Sequence, residues 1–233
     1  MQSPVGKQSR GELVIKLGVA AVILTLAYEA YGSFSHFLPQ PGAQVLRQGN
    51  VTVRRQPLTV SERYLEGADW QQTLRAGTAY THWSFICKSD FDLQESAAKS
   101  KEGVYYFVIR GVTVNLELPV TIWLPFGIAA RLREHEDGHR QICAKIYANA
   151  DKIAAECATS LIGQEILARG PSPSEAREAA VREARSRLSR AYAKQTEDLS
   201  VELSDFYDKI TNHGTNDVTA SSGVEQALAR GHL

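Results

Sequence analysis

Two histidines and a glutamate stand at metal-binding spacing in residues 135–139, HEDGH. His135 and His139 are four residues apart, so on an α-helix their imidazoles project from one face and can bind the same zinc ion. Glu136 lies about 100° around the same turn, where its carboxylate can hold a water molecule and take its proton. These three residues predict the catalytic centre of a zinc metallopeptidase.

The simpler interpretation of this motif is a pair of helical histidines without a metal ion. Apolar or small residues recur at steps of three and four through residues 128–161, and His135 and His139 occupy two positions of that face. Buried imidazoles need partners, because an unpaired buried polar group costs about 1–3 kcal/mol. A metal ion would be such a partner, so we favour a zinc site.

Two long helices are predicted to carry the site. The first spans about 128–168 and ends before the Gly-Pro pair at 170–171. The second begins in a capping box, with Ser172 as the cap and Glu175 three residues later. Residues 125–214 are therefore predicted to form an antiparallel helical hairpin.

The hairpin leads to a prediction of the third metal ligand. A catalytic zinc ion keeps three protein ligands and one open position. Equal distances on either side of the turn at Pro171 put residues 203–207 level with the motif. His213 follows soon after and is the predicted third ligand, and Asp208 is the alternative.

Other side chains near the motif in sequence are poor ligands. Cys143 follows His135 by eight residues, about 12 Å along the helix axis, and Glu156 and Glu165 are farther still. Tyr207 could stabilise the negative charge on the scissile carbonyl oxygen if its hydroxyl points inward. We therefore predict Tyr207 as a catalytic residue beside the general base.

The residues ahead of the helices are rich in β-branched and aromatic side chains. Residues 104–124 are strand-like throughout, with interruptions at Gly111 and Pro119. Residues 50–124 are predicted to form a small front sheet, with a short helix at 61–75. The predicted fold class is α+β and zincin-like.

The first 32 residues have the composition of an export signal. Lys7 and Arg10 precede an apolar run of 12 residues, LGVAAVILTLAY, and small residues follow at 30–32. A membrane span needs about 20 residues, so the run suits a cleaved signal better than an uncleaved inner-membrane anchor, the alternative. We expect a periplasmic or secreted protein, with a linker over 33–49 and little order over 215–233.

The balance of charged residues and the positions of the cysteines restrict which partners and which disulfides the chain can have. Lys plus Arg and Asp plus Glu balance at 26 each, which argues against a nucleic-acid partner and leaves a peptide or protein substrate. Cys143 and Cys157 lie about 21 Å apart on the predicted helix and cannot pair. Cys87 could bridge to either of them, or all three could be buried thiols.

Two segments, HEDGHRQI and YDKITNHG, resemble a bacterial family of predicted secreted zinc-dependent proteases, and the likeness covers residues 50–214. GTAYTHWSFIC and LELPVTIWLP resemble the β-rich front half of that family more loosely. The resemblance implies that His135, His139 and His213 bind zinc and that Glu136 is catalytic. The expected function is therefore an exported zinc metallopeptidase. The alternative is a non-catalytic, zinc-stabilised binding module of the cell envelope.

Overall fold

The computed structural model describes residues 42–65 and 79–233, which belong to one compact unit with mixed α and β structure. Along the chain, the described strands are β1 (Gln44–Gln48), β2 (Val51–Arg55), β3 (Thr59–Leu65), β4 (Tyr80–Trp83), β5 (Ile86–Glu95), β6 (Val104–Glu117), β7 (Pro119–Pro125) and β8 (Glu165–Arg169). The described helices are α1 (Ala130–Tyr147), α2 (Ala150–Thr159), α3 (Pro173–Gln195), α4 (Glu197–Thr211) and α5 (Ala220–Arg230).

The strands form two sheets. In the larger sheet the order is β1–β2–β6–β5, and β8 pairs with the first part of β6. Only β2 and β6 are parallel among these described pairs. In the smaller sheet the order is β3–β7–β4, with β3 parallel and β4 antiparallel to β7. Among the described strands, β4 therefore lies at an edge of the smaller sheet.

The helices divide between the two sheets. α2 and α3 pack against the larger sheet, whereas α1 packs against β4 and β7 of the smaller one. α1 also contacts α4 and α5 on another side. The helix that carries HEDGH is therefore bordered by an edge strand and by two helices from the end of the chain.

Of the two interruptions predicted within residues 104–124, only the one at Pro119 is a break between two strands. β6 ends at Glu117 and the next strand begins at Pro119 in the other sheet. Proline has no N–H to donate to a strand ladder, which suits it to the first position of a strand. At Gly111, by contrast, β6 continues, and its register with β5 skips Arg110 in a β-bulge.

The helix predicted over 128–168 is corrected by the structure. α1 and α2, separated by two residues, together stop at Thr159, and residues 165–169 form β8. Turn residues follow the helix up to Gly163, whose φ of 80° is one that glycine adopts readily, and β8 begins two residues later. The side chains of β8 are alternately exposed and buried, a period of two that favours a strand.

The second helix of the predicted hairpin begins as expected and then divides. Ser172 Oγ accepts a hydrogen bond from the backbone N–H of Glu175 at 3.3 Å, which is the predicted cap. α3 and α4 meet at Thr196, whose φ of −126° and ψ of −72° leave the helical conformation. α4 nevertheless continues to Thr211, two residues before His213.

The segment over 215–233 is more ordered than the sequence predicted, because α5 lies within it. Val224 and Ala227 of α5 are buried. At Gly223 a Cβ atom would lie 2.8 Å from Cε2 of Tyr207, so the glycine allows α5 to approach α4 closely. The small residues that suggested a flexible tail therefore form a packing face.

Two other predictions are corrected in the front half. β3 occupies part of the helix predicted over 61–75, because all seven of its residues pair with β7. β1 occupies part of the linker predicted over 33–49, where it pairs with β2. The rest of both segments lies outside the described residues.

The predicted export signal, residues 1–32, lies outside the described residues. Within the part of the chain that the structure describes, no helix has the length and apolar character needed to cross a membrane.

The three cysteines of the chain are free thiols in the structure. Cys143 and Cys157 are buried. Burial, and to a lesser extent the neighbouring Cys157, raises the pKa of the Cys87 thiol to about 12. Of the two possibilities left open by the sequence, the structure shows three thiols rather than a bridge from Cys87.

Candidate metal centre

The two histidines of HEDGH lie one turn apart on α1 and face the interior. His135 is 3% exposed and His139 is 7% exposed. Their ring centroids lie 5.0 Å apart, with the rings nearly perpendicular. The spacing of four residues therefore brings two imidazoles together at one buried point, as the sequence predicted.

Asp208 of α4 completes a cluster of three potential ligands. Its Oδ1 atom lies 3.1 Å from Nε2 of His135 and 3.1 Å from Nε2 of His139. The three donor atoms all lie within 4.8 Å of one another. Two ligands of a tetrahedral zinc ion are about 3.3 Å apart, so these spacings suit one ion.

The carboxylate oxygen in this cluster has no hydrogen-bond donor among the described residues. Asp208 Oδ1 is buried and accepts no hydrogen bond from any described residue. Leaving a buried acceptor unpaired costs about 1–3 kcal/mol, and more for a charged group. His135, His139 and Asp208 form a buried group that could bind a metal ion, which would remove this cost.

The charge of Asp208 also suits a cation. Burial alone would raise the pKa of its carboxyl, but the imidazoles of His135 and His139 beside it lower the pKa well below its usual range. The group is therefore an ionised carboxylate near neutral pH. A divalent cation could therefore bind between this carboxylate and the two imidazole nitrogens that face it.

His135 is held by two residues of α4. The ring of Tyr207 stacks on it, with centroids 4.8 Å apart and an interplanar angle of 10°. Thr211 Oγ1 lies 3.3 Å from His135 Nδ1 and donates its own hydrogen to the carbonyl oxygen of Tyr207. The Thr211 oxygen is therefore an acceptor for Nδ1–H, which leaves Nε2 free to bind a metal ion.

If the group binds a divalent metal ion, replacing Thr211 with valine should weaken that binding, measured with zinc, about 10–100-fold, the usual loss when the outer partner of a ligand histidine is removed. The side chain keeps its shape, so folding should be retained while Nδ1–H of His135 loses its acceptor. Competition with a chelating dye measures the affinity. Thr159→Val, at the exposed end of α2, is the control, and equal affinities in the two variants would contradict the assigned role.

His139 is held from the other side of the site. Trp83 of β4 stacks beside it, with ring centroids 6.2 Å apart. The indole Nε1 of Trp83 donates a hydrogen bond to Ser200 Oγ at 2.8 Å, which fixes the indole between β4 and α4. The orientation of His139 therefore depends on a strand far from it in sequence.

Glu136 points to the same side of α1 as β4. It is 4% exposed, and its Oε2 lies 2.8 Å from Oγ1 of Thr81, whose single hydrogen is shared between this oxygen and the backbone carbonyl oxygen of Glu136 at 2.9 Å. Burial raises the pKa of the Glu136 carboxyl above its ordinary value, and His139 and Thr81 oppose that rise. A raised pKa makes this carboxylate a stronger base than an exposed glutamate, as a general base requires.

The two candidate third ligands occupy different environments. Asp208, the alternative, lies within the buried group, whereas the side chain of His213 is 75% exposed. His213 Nδ1 lies 3.6 Å from Asp208 Oδ1, beside the group rather than in it. The cause is the end of α4: Asn212 has a φ of 47°, so the chain leaves the helix before His213.

Tyr207 is not oriented for the predicted oxyanion role. It is 0% exposed, and its hydroxyl donates a hydrogen bond to the backbone carbonyl of His135 at 3.1 Å. A Cβ atom at Gly138 would overlap this hydroxyl, so the glycine makes room for it. Tyr207 therefore supports the helix turn that carries His135 instead of facing a substrate.

A cavity of about 420 Å³ opens beside the buried group. Its walls come from β4, α1, α4 and the segment after α4, and both Glu136 and the three potential ligands line it. The cavity gives a small molecule or an extended chain access to the three potential ligands.

Comparisons with protein-family models, with curated proteins and with solved structures found no match for this chain. The resemblance to secreted zinc-dependent proteases therefore stays a prediction. Thr81, Trp83 and Thr211 were missed by sequence reasoning. Each acts through a contact between elements far apart in the chain, and no local spacing signals such a contact.

Proposed function

We propose that the chain is a zinc-dependent metallopeptidase in which His135, His139 and Asp208 bind the metal and Glu136 is the general base. The observation that carries the proposal is the buried Glu136 carboxylate next to a three-ligand group with a cavity on its open side. Structural zinc sites are normally closed by four protein ligands, whereas catalytic sites have three.

The choice of zinc depends on the residue beside the ligands. Two imidazoles and one carboxylate also suit iron(II) in oxygen-activating enzymes. A glutamate directly after the first histidine is the arrangement that zinc peptidases use to activate water. Glu136 therefore favours a hydrolytic zinc site. A zincin-like fold and export to the periplasm or the medium through a cleaved signal belong to the same proposal, and an uncleaved inner-membrane anchor is the alternative to cleavage.

The hydrolysis uses Glu136 twice. A bound zinc ion would lower the pKa of water toward about 7 and polarise the scissile carbonyl. Glu136 accepts one proton from the attacking water, whose oxygen forms a bond to the carbonyl carbon. Glu136 then passes that proton to the amide nitrogen, the C–N bond breaks to give a carboxylic acid and an amine, and the acid gives its remaining proton to the amine, so that a carboxylate and an ammonium group leave.

The competing function is a zinc-stabilised binding module without catalysis. It requires a fourth protein ligand, and His213, 3.6 Å from Asp208 Oδ1, is close enough to be considered for that position. Its high exposure favours the three-ligand site. The two functions differ in whether the metal-loaded protein turns over a substrate.

The proposal is tested with the purified full chain and an unfolded protein such as casein. Zinc-loaded protein should release new amino termini, a strong chelator should stop the reaction, and added zinc should restore it. Amine-reactive fluorescence measures the rate. Bound zinc without any release of termini from casein or from a mixed peptide library would favour the binding module.

Thr81→Val should lower kcat about 5- to 10-fold, the effect of losing one hydrogen bond of about 1 kcal/mol. The valine cannot donate to Glu136, whereas Thr81→Ser keeps the hydroxyl and should stay close to wild type. Zinc content should be the same in both. Equal rates for the two variants would show that Thr81 does not orient the base.

A further inference from the structure

We propose that His213 is a catalytic residue that donates a hydrogen bond to the carbonyl oxygen of the scissile bond, and that it is not a metal ligand. This inference rests on the proposed peptidase function. It gives a role to a histidine that the sequence singled out and that lies outside the buried group.

The position of His213 is the first support. Its side chain lines the same cavity as Glu136 and the potential ligands. It is 75% exposed, in contrast to the buried histidines of α1. The 3.6 Å from its Nδ1 to Asp208 Oδ1 is longer than a hydrogen bond. The imidazole therefore lies at the mouth of the site, where a bound substrate would meet it.

The backbone at His213 is the second support. Asn212, His213 and Gly214 have successive φ angles of 47°, 51° and 73°. A left-handed conformation costs a non-glycine residue roughly 1–2 kcal/mol, and such strain is often found at functional sites. The conformation directs His213 toward the cavity instead of along the axis of α4.

This strained segment is tied to the metal-binding helix. The backbone N–H of His213 donates to the carbonyl oxygen of Asp208 at 3.0 Å. At Gly214 a Cβ atom would lie 2.8 Å from Cβ of His135, so the segment packs directly on α1. His213 is therefore held at a defined distance from the ligands although its ring is exposed.

Three other donors near the cavity have partners within the protein, whereas the hydroxyl of Ser204, in the cavity lining, is buried without one among the described residues. The indole of Trp83 donates to Ser200, and the hydroxyl of Thr81 donates to Glu136. The hydroxyl of Tyr207 donates to the His135 carbonyl. The described lining of the cavity contains no lysine or arginine. Because the ring of His213 is exposed in this lining, its N–H is suited to stabilise negative charge on a substrate oxygen.

The role of His213 involves no proton transfer. As the water oxygen attacks the carbonyl carbon, negative charge grows on the carbonyl oxygen, and the hydrogen bond from His213 becomes stronger. The proton from the water goes to Glu136, as in the hydrolysis above. If His213 were instead a fourth ligand, the position needed by the substrate would be occupied.

The test compares His213→Ala, His213→Gln and the control His232→Ala in the zinc-loaded protein. His232 is also an exposed histidine with a positive φ, 56°, after a helix end, and it does not line the cavity. Three quantities are measured: zinc affinity by dye competition, affinity for a phosphinic peptide by calorimetry, and kcat with KM. A phosphinic peptide has a tetrahedral phosphorus with negatively charged oxygens. It therefore resembles the tetrahedral transition state of peptide hydrolysis.

His213→Ala should keep wild-type zinc affinity, bind the phosphinic peptide about 100-fold more weakly and lower kcat about 100-fold, the usual effect of losing one such donor. KM should change little. His213→Gln retains an N–H donor and should recover part of both losses. His232→Ala should match wild type throughout.

Loss of zinc in His213→Ala would make His213 a ligand and overturn the inference. Unchanged affinity for the phosphinic peptide would also overturn it, as would a wild-type protein that does not bind this peptide. Because these are binding measurements, they are separate from the test of the peptidase function, which depends on hydrolysis and on Glu136.

Discussion

Glu136→Gln is expected to lower peptide hydrolysis by about 10²–10⁴-fold while the protein keeps its fold and its zinc. The amide of glutamine can hydrogen-bond to a water molecule but cannot accept its proton. Glu136 is not one of the three residues whose donor atoms converge, so metal affinity should stay near wild type. The rate on a fluorogenic peptide and the zinc content of the same sample give the two measurements.

Glu134→Gln is a matched control for this change. Glu134 lies on α1 two residues earlier, is exposed, and does not line the cavity beside the metal ligands. It should retain the wild-type rate. If Glu136→Gln also cleaved the peptide at the wild-type rate, Glu136 would not be the base, and the proposed mechanism would be wrong.

Asp208→Ala should weaken zinc binding by more than the roughly 10–100-fold that removal of an outer partner costs, because a ligand itself is lost. Only His135 and His139 would remain of the buried group. Hydrolysis should fall with the zinc content and should recover in part at high zinc concentration. Dye competition over a range of zinc concentrations measures the affinity.

Asp205→Ala provides the comparison on the same helix. Asp205 precedes Asp208 by three residues and is exposed at the cavity, but it is not part of the converging group. Its loss should leave zinc affinity close to wild type. Equal affinities in the two aspartate variants would remove Asp208 from the metal site.

The sequence was informative where the relevant geometry is local. Four residues make about one helix turn, so His135 and His139 could be brought together on one face before any tertiary structure was known. The cap of α3 at Ser172 is local in the same sense, since its partner is only three residues away.

The spacing of residues in the sequence could not decide which residue is the third member of the cluster. Counting from Pro171 indicated that the chain returns beside HEDGH near residue 207. The choice between Asp208 and His213 then depended on where α4 ends. Because α4 continues to Thr211, Asp208 is held on the helix beside the histidines, and His213 lies beyond the left-handed end of the helix.

Longer-range pairing accounts for the errors in the fold. Residues 165–169 could be read as the end of a long helix until their pairing with β6 was known. Residues 61–65 likewise belong to β3 because β7 lies alongside them. Such partners come from distant parts of the chain, and tertiary pairing outweighs the weak local preference of short segments.

The central claim, an open zinc site with two histidine ligands and one aspartate ligand, is tested most directly by X-ray absorption spectroscopy of the zinc-loaded full chain. We expect four-coordinate zinc with two imidazole nitrogens and two oxygens, at about 2.0–2.2 Å, one oxygen from Asp208 and one from solvent. Asp208→Ala should lose the carboxylate contribution. A site with three imidazoles and a carboxylate, a sulfur ligand, or no stoichiometric zinc would contradict the account.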